Sequence, residues 1–83
     1  MNIQNQILEI LDSVLSLKGR ARQFNTATPL LGALPELDSM AVLGVITAFE
    51  ERFAIVVDDD DIDGATFSTV GTLVSYVSSK LGD

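Results

Sequence analysis

The stretch Asp38-Ser39-Met40-Ala41-Val42-Leu43-Gly44-Val45-Ile46-Thr47-Ala48-Phe49-Glu50-Glu51-Arg52-Phe53 decides the fold class. Its apolar positions Val42, Ile46, Phe49 and Phe53 recur at 4, 3 and 4 residues, the period of one face of an α-helix. Asp38 is a preferred N-cap, because its carboxylate can accept from an otherwise free amide of the first turn, so this helix is expected to begin at Asp38-Ser39. Met40, Leu43 and Val45 broaden the apolar face, which predicts the most buried helix of the chain. Glu50, Glu51 and Arg52 mark its solvent side near the end.

Upstream, Ile3, Ile7, Ile10, Leu11, Val14 and Leu17 keep the same period, with Leu8 and Leu15 widening the stripe. A first helix is predicted from about Ile3 to Leu17, with Asn2 as N-cap and Lys18-Gly19 as its stop. From Lys18 to Asp38 the period disappears. Gly19, Asn25, Pro29, Gly32 and Pro35 punctuate a connection long enough to be unusual, and Phe24, Leu30, Leu31, Leu34 and Leu37 predict that it lies pinned on the core, with room for a short helical turn. Downstream, Ala54 to Val57 reads as a brief extended link, and Asp58 to Gly64 as a short acidic turn or helix. A last helix from Ser68 or Thr69 to about Leu81 follows from Val70, Leu73, Val74, Val77 and Leu81. Its Ser and Thr content and Gly71 make it intrinsically weak and dependent on packing. The expected architecture is an all-α, small four-helix bundle: three main helices, one short one and a long loop after the first, forming a single domain over residues 1–83.

The chain has 83 residues, 47% of them hydrophobic and 20% charged, so it is a folded domain rather than a disordered tail. It contains no His, no Cys and no Trp. Those absences remove disulfides, thiolate nucleophiles, Cys-ligated zinc and every imidazole-based catalytic arrangement. The net charge of −7 argues against nucleic acid or anionic membranes as partners. Mean hydropathy is high at +0.35, yet no run of roughly 18 apolar residues predicts a membrane span. Glu9 and Asp12 interrupt the N-terminal apolar stretch and no basic residue precedes Lys18, so no secretory signal is read and a cytoplasmic location is the default. An autonomous enzyme is not expected.

Two places invite a functional reading. With Asp59 counted as the first position of a calcium loop, Asp61, Asp63 and Gly64 fall at the third, fifth and sixth, but the twelfth, a bidentate Glu, is Val70. The run is better read as a charged helix start or a partner-facing patch, and no metal site is expected. Ser39 sits at a helix start, which alone marks only a capping serine. It has no His or Lys nearby in sequence to take its proton, so it is no self-activated nucleophile. A hydroxyl at a helix N-terminus does suit a phosphate, since free amides and the helix dipole favour an anion, and Ser39 reads as a residue modified by another enzyme.

Asp38-Ser39-Met40 with the helix it opens resembles the Asp-Ser-Leu motif and second helix of acyl carrier proteins and related phosphopantetheine-binding carrier domains. The likeness extends to the long loop ahead of the motif, the Ala-Phe-Glu-Glu-x-Phe helix end, the acidic short helix and Phe67-Ser68-Thr69-Val70-Gly71-Thr72-Leu73. The resemblance implies that a phosphopantetheinyl transferase attaches 4′-phosphopantetheine to Ser39. Asp38 and Met40 would be the flanking recognition residues. The arm's thiol would carry an acyl or aminoacyl group as a thioester, loaded by an acyl- or aminoacyl-activating ligase and passed to acyl-transferring enzymes. The borrowed thiol would reconcile thiol chemistry with a chain free of cysteine.

Acidity is local. Residues 36–63 hold nine acids and one Arg, a charge of −8, whereas residues 1–35 carry +1 and residues 64–83 sum to zero. Glu36, Glu50, Glu51, Asp58, Asp59, Asp60 and Asp61 are therefore candidate partner-binding residues for basic enzyme surfaces, with a monomeric carrier expected. Carriers of fatty acid synthesis bear acids on the outward face of the helix after the serine. Here Ala41, Gly44 and Thr47 stand there, and Leu34-Pro35-Glu36-Leu37 differs from their glycine-centred lead-in. A specialised carrier with a dedicated ligase or acyltransferase is the expectation. The alternative reading is a small acidic helical interaction module without a prosthetic group. Gly44, Ala48 and Gly71 are expected to allow close helix packing, the alternative being that they leave room for an acyl chain between helices.

Overall fold

The computed structural model describes residues 2–58, 60 and 62–82. Helix α1 spans Ile3–Leu15, and its N-cap Asn2 accepts from the Asn5 amide at 3.1 Å, as its position predicts. It ends two residues before the expected Leu17. Ser16 takes a left-handed conformation (φ 54°), Lys18 follows at φ 56° and Gly19 at φ 90°. The cause is Asp12. Its main-chain oxygen accepts from Leu17 at 3.0 Å, while its carboxylate accepts from the Gly19 and Ala21 amides at 3.1 and 3.2 Å. That carboxylate satisfies the free amides that start a short 3-10 helix, Arg20–Gln23, inside the long connection. Leu17 is fully buried all the same, folded inward from outside the helix.

Helix α2 runs Ser39–Phe53 with Asp38 as N-cap. Ala54 is its left-handed C-cap (φ 54°, ψ 43°), so the link expected from Ala54 starts one residue later. The Glu50 carboxylate accepts from the Val57 amide at 3.1 Å and folds that link back against the helix. Helix α3 spans Val70–Lys80. Thr69 and Thr72 cap each other reciprocally, the Thr69 amide donating to Thr72 Oγ1 at 3.0 Å and the Thr72 amide to Thr69 Oγ1 at 3.2 Å. This box offsets the weak propensity of a Ser- and Thr-rich helix. The short acidic helix expected over Asp58 to Gly64 includes Asp59 and Asp61, which lie outside the described residues.

Helix α1 is the central element and packs against both α2 and α3. Ile7 and Leu11 of α1, Val45 and Phe49 of α2, and Leu73 and Val77 of α3 are among the side chains removed from water. Each such burial stabilises by about 1.5–3 kcal/mol. α2 is not the most buried helix: five of its 15 residues are buried, against five of 13 in α1. Met40 and Leu43, counted into its apolar face, point outward instead. Gly44 does serve helix packing, since a Cβ there would stand 3.2 Å from Val14 Cγ1.

The long connection is held on the core as its leucines predict, with Leu30 and Leu37 buried. It is also stitched to the lead-in of α3. The Leu30 amide donates to Ser68 O at 2.8 Å, Leu31 to Phe67 O at 3.0 Å, Val70 to Thr28 O at 3.1 Å and Gly71 to Thr26 O at 2.9 Å. Gly71 therefore admits a loop rather than a neighbouring helix: a Cβ there would lie 2.9 Å from the Thr26 main-chain oxygen. Gly71→Ala is expected to destabilise by about 1–3 kcal/mol through this overlap, despite alanine's better helix propensity. A denaturant titration checks this, and a stabilised variant would contradict it.

Candidate functional site

Ser39 is the first residue of α2 and its side chain is exposed. The local sequence places it there through Asp38, whose extended backbone (φ −100°, ψ −177°) ends the loop. The Asp38 carboxylate accepts from the Ala41 amide at 2.8 Å, and its main-chain oxygen accepts from Val42 at 2.9 Å. The carboxylate next to Ser39 is thus turned back into the helix start. Helix geometry leaves the Ser39 and Met40 amides without intrahelical acceptors. Among the described residues no hydrogen bond or ion pair engages the Ser39 hydroxyl. A free hydroxyl beside two donor amides at the positive end of a helix dipole fits a phosphoester. Among the described residues no base engages the Ser39 hydroxyl to remove its proton, and activation is left to another protein.

The outward face of α2 beyond Ser39 is apolar. Met40 is 75% exposed and Leu43 54%. Exposed Thr47 follows, its hydroxyl donating to Leu43 O at 3.0 Å. Ala41 and Gly44, expected on this face, turn partly inward, Ala41 against the core and Gly44 towards α1. The exposed Leu43 is the residue that counting apolar positions missed. Its angle on the helix, one step off the Val42–Ile46–Phe49 stripe, carries the signal.

The acids divide into two groups. Glu36 pairs with the Arg20 guanidinium, and this charge-assisted bond holds its carboxyl below the usual carboxylate range. Glu50 is committed to Val57, and Asp58 lies 3.6 Å from Lys80 Nζ. Glu51 and Asp60 are exposed. Asp59 and Asp61 lie outside the described residues. Asp63 accepts from the Thr66 amide at 2.8 Å, which lowers its pKa. Val70, at the place of a calcium loop's bidentate ligand, is a fully buried core residue. Among the described residues no cluster of three or more acids could hold a metal ion, and no helix is long and apolar enough to cross a membrane.

Residues 5–77 match the family model described as the phosphopantetheine attachment site. Over 45 residues the chain is 42% identical to the acyl carrier protein of Thermotoga maritima, covering 54% of this chain and 53% of that protein. The chain thus spans about half the length of that curated relative in the alignment. The solution NMR structure of a holo acyl carrier protein from Nitrosomonas europaea superimposes with a TM-score of 0.91 and 46% identity, covering 100% of both chains.

Proposed function

The chain belongs to the phosphopantetheine attachment-site family, and from that membership we propose that it is an acyl carrier protein whose 4′-phosphopantetheine arm is joined to Ser39. The observation that carries the assignment is the exposed Ser39 hydroxyl at the first position of α2, beside amides that helix geometry leaves free and an Asp38 carboxylate turned away into its cap. Attachment requires Ser39 Oγ to lose its proton and attack the pantetheine-bearing phosphorus of coenzyme A, so that the phosphoester forms as the pyrophosphate bond breaks and adenosine 3′,5′-bisphosphate leaves. With no base at hand, that proton is removed by a phosphopantetheinyl transferase. The attached arm supplies a thiol, on which an acyl or aminoacyl group is carried as a thioester. The protein's own part is to hold the phosphate at the helix start and to present a recognition surface. It is a carrier, not an enzyme. A protein-interaction module without a prosthetic group leaves the family match across residues 5–77 unaccounted for.

Docking is assigned to the outward face of α2. Met40 and Leu43 offer an apolar contact next to the arm, and Asp38 flanks the recognition site. Glu51, Asp60 and their neighbours Asp59 and Asp61 supply negative charge for steering. Glu36, Glu50 and Asp58 have intramolecular partners and serve docking less. A surface whose first turns are apolar suits a dedicated ligase or acyltransferase with an apolar contact site, loading a cytoplasmic, monomeric carrier. Incubation with coenzyme A, magnesium and a broad-specificity phosphopantetheinyl transferase is expected to add one arm per chain in the intact mass. No addition, with the transferase active on a second carrier, would overturn the assignment.

A further inference from the structure

The segment that delivers Ser39 to the surface is supported from an unexpected direction. As far as Leu31, the long connection is hydrogen-bonded to the lead-in of α3. Beyond it, the amides bond within the segment: Ala33 and Leu34 to Leu30 O at 3.1 and 2.9 Å, and Leu37 to Leu34 O at 3.0 Å. Among the described residues, the polar side-chain contact between this stretch and the rest of the molecule is Glu36 with Arg20, across 16 positions of sequence. Arg20 is itself braced. Its Nε donates to Leu17 O at 3.2 Å, and the 3-10 helix it begins is held to α1 through the Asp12 carboxylate on the Gly19 and Ala21 amides. The planar guanidinium thus uses two of its nitrogens, Nε on the Leu17 main-chain oxygen just past α1 and Nη2 on the residue three places before Ser39.

We propose that Arg20 and Glu36 form a strap that positions Ser39 for modification, Arg20 acting through Glu36 and the Leu37-Asp38 lead-in rather than by touching the transferase. This rests on the Ser39 assignment. Buried Leu37 anchors the same segment, so loss of the strap leaves the fold in place and loosens only the presentation of the helix start. Lysine is a poor substitute for Arg20, because a single ammonium cannot hold both acceptors in one plane.

The test is a double-mutant cycle on the full chain with Arg20→Met, Glu36→Gln and both together, read by transferase loading and by hydrogen exchange at Leu37 and Ala41. Each single change is expected to lower loading kcat/KM about fivefold, the scale of one exposed ion pair, and the double variant to lose no more than either single. Exchange at the two amides is expected to quicken in both singles and no further in the double. Losses that multiply in the double variant would show that each side chain contacts the transferase independently and would overturn the strap, as would unchanged exchange. Failure to load the parent chain would refute the Ser39 assignment instead, and the exchange measurements would then decide the strap alone.

Discussion

Phe49→Ala is expected to be the most destabilising truncation on α2, at about 3–5 kcal/mol. Phe49 is 1% exposed, and its ring meets that of Phe53 edge-on at 6.0 Å and 62°. It is among the largest fully buried side chains, so alanine leaves a cavity in the core and loses the aromatic pair. Chains of this size hold roughly 4–12 kcal/mol in total, so the variant stands near the edge of folding. A denaturant titration should show the loss, with a melting point lower by more than about 10 °C. Val56→Ala is the matched control. Val56 is 73% exposed, and its replacement should change stability by no more than about 0.5 kcal/mol. Equal effects of the two would mean that α2 is not seated as described.

Ser39→Ala should have the opposite profile, leaving the fold intact and the function absent. The Ser39 side chain engages no partner among the described residues, and Asp38 still caps the helix through the Ala41 amide. Alanine is also the stronger helix former. Stability should therefore move by no more than about 0.5 kcal/mol, while loading by the transferase falls to background. Circular dichroism and intact mass on one sample separate the two effects. Retained loading in a folded Ser39→Ala chain would remove the site.

Much of this is legible in the chain, and most of what is not depends on partners distant in sequence. Local periodicity and capping chemistry pointed to Asn2, Asp38 and Thr69 as helix starts, because each cap acts within three residues of itself. The end of α1 was not legible. It depends on one carboxylate, Asp12, reaching the Gly19 and Ala21 amides, seven and nine positions away. Gly71 looked like a helix-packing residue because the Thr26 oxygen it admits comes from a loop remote in sequence. Leu43 reads as part of the buried face because it is apolar, and Met40 reads both as part of that face and as a flank of Ser39, but their angle on α2 turns both to solvent. At the site, Ser39 could be singled out from its place at a helix start and its motif. The charge run around it could not be sorted, since Glu36 and Asp58 are spoken for by Arg20 and Lys80, residues distant along the chain.

The attachment point itself is tested most directly by mass mapping of proteolytic fragments after loading. The chain has six other serines, at positions 13, 16, 68, 75, 78 and 79, and each is a chemically competent alternative. The expected result is a single arm, confined to the fragment containing Ser39 and localised to that residue on fragmentation. An arm on any other serine would contradict the account.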